Sequence, residues 1–136
     1  MLFPLEINDI RLNQKERVHG IISGEVAKVY RFESFSADIT LIYDEIDGQE
    51  VIVIGDRRRN FIVSFYRELE DGTKPAFSVI NENNIILEDD LGNKWDIFGY
   101  AVSGPSLGQR QKNTESFMGY WFAWGAFYPG VEIYDF

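Results

Sequence analysis

Ile39-Thr40-Leu41-Ile42-Tyr43-Asp44-Glu45-Ile46-Asp47-Gly48-Gln49-Glu50-Val51-Ile52-Val53-Ile54 is the stretch from which the fold is read. Two β-branched, apolar runs, Ile39 to Ile46 and Glu50 to Ile54, flank Asp47-Gly48. Aspartate and glycine tolerate the positive φ angles of a type I′ turn, whose twist matches that of two antiparallel strands. The stretch therefore predicts a tight β-hairpin.

The same grammar extends in both directions. Upstream, Val18 to Ile22 and Val26 to Phe32 flank Ser23-Gly24-Glu25. Downstream, Asn60 to Leu69 alternates apolar positions, and Glu70-Asp71-Gly72-Thr73 turns it toward Ala76 to Ile80. Ile85 to Glu88 and Lys94 to Phe98 flank the acidic turn Asp89-Asp90-Leu91-Gly92-Asn93. Tyr100 to Val102 follows and ends at Ser103-Gly104-Pro105, because proline cannot donate to a central ladder. Short strands at regular spacing with turn signals predict a mainly β domain, a compact antiparallel sandwich or barrel-like fold. One short helix is expected near the C-terminus, over 114–127. Thr114 is its cap, and Phe117, Tyr120, Trp121, Trp124 and Phe127 fall near helical spacing. Gly119 and Gly125 weaken it, and Val131 to Tyr134 reads as a last strand.

At 136 residues the chain suits one domain, with residues 1–16 as an irregular N-terminal segment. Its 45% hydrophobic content supports a packed core without disulfides. Having no cysteine, it has no disulfide framework, thiol nucleophile or thiolate zinc site. A net charge of −9 is a poor footprint for nucleic acid, which is excluded as a partner. No apolar run reaches the length of a membrane span, and Met1 to Glu6 lacks the charged and apolar regions of a signal peptide.

Several residues have the chemistry of a site. His19 is the only histidine, too few for a two-histidine metal site and unaccompanied by a nucleophile-elbow serine. Arg57-Arg58-Arg59 is the densest positive patch; its guanidinium forks suit a carboxylate or phosphate, or pair with neighbouring acids in a solvated turn. Asp89, Asp90, Asn93 and Asp96 form an oxygen-rich cluster that a hard cation could use. Their spacing misses the EF-hand pattern, and a tight turn wants the same residue types. Glu33, Asp38, Asp44, Glu45, Glu88 and Asp96 are too many acids for a catalytic pair to be singled out. Residues 117–128 are dense in aromatic side chains, either as core filler or as a platform for a sugar ring, peptide or partner.

The order of these pieces resembles domain-of-unknown-function family 3179. The likeness runs through Arg17-Val18-His19-Gly20, Ala27-Lys28-Val29-Tyr30, Tyr43 to Gly48, Glu50 to Ile54 and Gly92-Asn93-Lys94-Trp95-Asp96. It continues in Gly99-Tyr100-Ala101-Val102-Ser103-Gly104-Pro105, Leu107 and Trp124 to Pro129. The resemblance implies a single domain with no settled activity, in a bacterial or archaeal family with many envelope or exported members. Many members carry a Cys-Pro-x-Cys-like stretch where this chain has Gly55 to Asn60, and a His-Glu pair where it has Ser36-Ala37-Asp38. A thiol or metal role therefore does not carry over.

The leading expectation is a non-catalytic binding or interaction domain without a cofactor. Its aromatic and acidic groove would be built from Trp95, Tyr120, Trp121 and Trp124, with Arg57, Arg58 and Arg59 as an anion contact. Its partner would be a small molecule, a glycan or a protein. The alternatives are a carboxylate-dependent hydrolase acting on a glycan, or a structural subunit of an envelope assembly. Exposure of the tryptophans decides whether such a platform exists.

Overall fold

The computed structural model describes residues 11–12, 15–121, 124, 128 and 130–136. It contains eleven strands: β1 (Arg17–Ser23), β2 (Val26–Arg31), β3 (Thr40–Ile46), β4 (Gln49–Asp56), β5 (Phe61–Tyr66), β6 (Phe77–Glu82), β7 (Ile85–Asp89), β8 (Lys94–Asp96), β9 (Ala101–Ser103), β10 (Glu115–Tyr120) and β11 (Glu132–Ile133). The mainly β reading holds. The finer architecture needs correction: the strands form three sheets, ordered β10-β1-β2-β11, β3-β4-β5 and β6-β7-β8-β9, and the described residues make no closed barrel. All neighbouring pairs are antiparallel except β2 with β11.

The decisive hairpin forms as its turn residues require. Asp47 and Gly48 have φ of 49° and 80°, and β3 pairs with β4 from Ile46↔Gln49 to Thr40↔Gly55. By chain contacts the molecule divides into two compact units, residues 35–114 and residues 1–34 with 115–136.

The 35–114 unit holds the second and third sheets. Ile52, Ile54 and Phe65 from one sheet and Phe77, Ile86, Leu87, Trp95 and Ala101 from the other share one buried cluster. Removing such side chains from water contributes roughly 1.5–3 kcal/mol each. Tyr43 fastens β3 to β6: its hydroxyl donates to Phe77 O at 2.9 Å and accepts from Phe77 N–H at 2.7 Å.

In the other unit, β1 is the central strand between β10 and β2. Val18, Ala27, Val29, Trp121, Trp124 and Val131 form its core. The helix expected over 114–127 is overturned in its first half, where Glu115–Tyr120 is a strand paired with β1 from Ile22↔Glu115 to Arg17↔Tyr120. A ladder of this length outweighs an intrinsic helical pattern already weakened by Gly119. The described residues contain no C-terminal helix; helical backbone there is limited to Trp121 and Trp124. Residues 122, 123 and 125–127 of the expected helix lie outside the described residues.

Candidate functional site

Trp95, Trp121 and Trp124 are all buried and offer no ring face to a ligand. The Trp124 indole lies over Gly20, where any Cβ would collide with it, and against Gly119; Phe117 stacks on it with ring centroids 4.5 Å apart. The glycines thus admit the chain's own indole. Tyr120 alone of the four aromatic residues expected in a groove is exposed. Trp95 and the three arginines belong to the 35–114 unit, and Tyr120, Trp121 and Trp124 to the other.

The arginine turn has partners of its own. Arg59 pairs with Asp56 at 2.8 Å, donates to Asn83 O at 2.7 Å and covers the Phe61 ring. Arg58 lies 3.9 Å from Asp38, both exposed, a pair worth little in water.

The acidic turn is held by its own side chains. Asp89 closes the β7–β8 turn: Oδ1 accepts from Leu91 N–H at 2.9 Å and Asn93 N–H at 3.0 Å. Its Oδ2 accepts from Trp95 Nε1–H at 2.9 Å and Asn93 Nδ2–H at 3.1 Å. Asn93 turns its own Oδ1 to Ser106 N–H at 2.7 Å, fastening the 104–109 loop. Gly104 fits because a Cβ there would strike Gly92 O and Asn93. Asp90 accepts from Ala76 N–H at 3.0 Å.

Asp96 repeats the device at the β8–β9 turn. Its Oδ1 accepts from Phe98 N–H and Tyr100 N–H, each at 2.9 Å. Gly99, with φ of 89°, leaves no room for a Cβ, which would lie 2.7 Å from Phe65 Cε1. Arg110 donates to Phe98 O at 3.1 Å and covers the Tyr100 ring. The oxygens that a hard cation could use thus accept hydrogen bonds from backbone and side-chain N–H groups, as the turn reading expects. Among the described residues no three metal-ligating side chains come together.

These turns display apolar side chains. Leu91 and Phe98 sit on the turns closed by Asp89 and Asp96, and Leu107 on the loop fastened by Asn93; Phe98 is 62% exposed and Leu107 66%. β9 joins the last two, with Tyr100 and Val102, two residues apart, exposed on either side of buried Ala101. Such tips are costly to leave in water. Sequence reasoning missed Phe98, Tyr100, Val102 and Leu107 as surface residues. The available signal was apolar residues beside Asp96, Gly99 and Gly104, where turn chemistry points side chains outward.

No carboxylate with a resolved shift is tuned to donate a proton. Lys74, 3.0 Å from Glu50, holds that carboxyl below its usual range, and Arg67 adds to this. Hydrogen bonds from Thr73 do the same for Asp71. Burial pushes Asp56 up, but its hydrogen bonds with Arg59 outweigh that and leave it low. A depression of about 210 Å³ holds Glu50 and Glu68 together with Lys74 and Lys112. A general acid requires the opposite shift from that of Glu50. His19 is buried in β1, and desolvation lowers its pKa from 6.5 to about 4.

No described helix is long and apolar enough to cross a membrane. Neither a curated protein nor a solved structure matches the chain. A family model does match, over residues 1–131, and the chain belongs to that family, described as protein of unknown function DUF3179.

Proposed function

We propose that this protein is a non-catalytic interaction domain whose binding surface is the apolar rim formed by Phe98, Tyr100, Val102 and Leu107, with Leu91 on the neighbouring turn. One observation carries the reading. The two most exposed of these side chains, Phe98 and Leu107, sit on turns whose backbones are fixed by the buried groups Asp96 and Asn93. A surface ordered before binding loses less entropy when a partner arrives. Exposed apolar side chains on ordered turns suit a protein partner. The titration of Glu50, Asp56 and Asp71 gives the hydrolase reading no support.

The test places a photo-crosslinking amino acid at position 98, 107 or, as a control, 70 in the full chain within producing cells. A discrete adduct from 98 and 107 that is absent from 70 is expected. Equal, diffuse labelling from all three positions would rule the reading out.

A further inference from the structure

We infer that Arg110 is the charged anchor of the apolar rim, and that the partner's contacting segment carries an aspartate or glutamate side chain beside apolar residues. The inference rests on the proposed function and adds the chemistry of the partner. Arg59, Arg67 and Arg110 each lie over an aromatic ring, Phe61, Tyr43 and Tyr100, at 5.3, 5.1 and 5.0 Å from the centroids. The first two have a carboxylate within the chain: Asp56 at 2.8 Å from Arg59 and Glu50 at 3.7 Å from Arg67. Among the described residues Arg110 has none.

The Arg110 guanidinium is nevertheless held in place. Its Nε–H donates to Phe98 O at 3.1 Å and its plane covers Tyr100, while neither terminal nitrogen has an acceptor among the described residues. Two N–H groups of a guanidinium match the two oxygens of one carboxylate. A side chain already fixed against its neighbours loses less entropy on pairing than a free one. Phe98 and Tyr100, which hold it, are themselves exposed, so a carboxylate that reaches Arg110 arrives with apolar side chains to cover them. The carboxylate comes from a side chain and not from a chain end. Capture of a terminal carboxylate uses clustered backbone N–H groups. Here the N–H groups of Phe98, Gly99, Tyr100, Gly108 and Gln109 already bond within the chain.

The test titrates the full chain with acetyl-Ala-Leu-Glu-Phe-Ala-amide, with its glutamine counterpart, and with acetyl-Leu-Phe ending in a free carboxylate. Nitrogen-15 NMR follows the Arg110 Nε–Hε signal and the backbone amides of Phe98 and Leu107. The glutamate peptide should move all three and bind about five- to tenfold more tightly than the glutamine peptide. Arg110→Gln should erase that difference, and Arg110→Lys, which keeps the charge without the fork, should retain only part of it. Equal binding of the two blocked peptides at Phe98 and Leu107 would overturn the role of Arg110 and leave the rim standing. Tighter binding of the peptide with the free terminus would overturn the side-chain source. No movement with any peptide would overturn the inference as a whole, while the crosslinks at 98 and 107 judge the rim independently.

Discussion

His19 and Gln111 show how single buried polar residues tune this fold. The unfolded His19 takes up a proton near pH 6.5, whereas the folded imidazole resists until about pH 4. Both states are neutral above pH 6.5, so the residue leaves stability unchanged there. Between pH 6.5 and 4 only the unfolded state binds the proton, and stability falls as pH falls. At roughly 1.4 kcal/mol per pH unit, the loss reaches about 3 kcal/mol by pH 4. Urea unfolding from pH 7.5 to 4 should show this slope, and His19→Gln should flatten it; an identical slope in the variant would refute the assignment. Gln111 is the reverse case. Its side chain is buried and among the described residues neither amide atom has a hydrogen-bond partner, a cost of about 1–3 kcal/mol for a buried polar group. Gln111→Met keeps the length and removes the polar atoms. It should raise the melting temperature, with a gain of about 1 kcal/mol.

At the scale of the elements, the turns separate stability from display. Asp96→Ala removes the acceptor for two backbone N–H groups of the β8–β9 turn and should cost about 2 kcal/mol. Gly104→Ala forces a Cβ into Gly92 O and Asn93 and should cost about 1–3 kcal/mol. Phe98→Ser, at an exposed tip, should stay within about 0.5 kcal/mol of the parent. Chemical denaturation of the three variants checks this order, and a destabilised Phe98→Ser would mean that the ring is part of the core. The strands were largely legible from Asp47-Gly48 and its relatives, because a turn residue's backbone preference is a local property. The strand Glu115–Tyr120 was not, because its partner β1 lies almost a hundred residues away and only the fold brings them together. The oxygen-rich cluster was legible as turn residues, with a cation site as the alternative. Which N–H groups each carboxylate binds was not, because aspartates that bind a cation and aspartates that close turns are the same in sequence and differ in what they face.

At the scale of the whole molecule, the chain comprises two compact units, and the 35–114 unit contains a complete buried cluster of its own. A fragment of residues 35–114 should therefore fold alone. Trp95, its only tryptophan, should emit at short wavelength and shift to the red in denaturant. A red emission maximum in buffer would show that the cluster needs the rest of the chain. Membership of the DUF3179 family carries no activity with it, so function has to be argued from what this unit presents to its surroundings. That is a rim of apolar turns fastened by Asp89, Asn93 and Asp96. Amide hydrogen exchange of the full chain tests this account most directly. The amides of Leu91, Phe98, Tyr100 and Ser106, all bound by those three side chains, should exchange far more slowly than those of the exposed hairpin turn Asp47 and Gly48. Exchange at the rate of an unstructured chain would mean that the turns are not held, and would contradict the account.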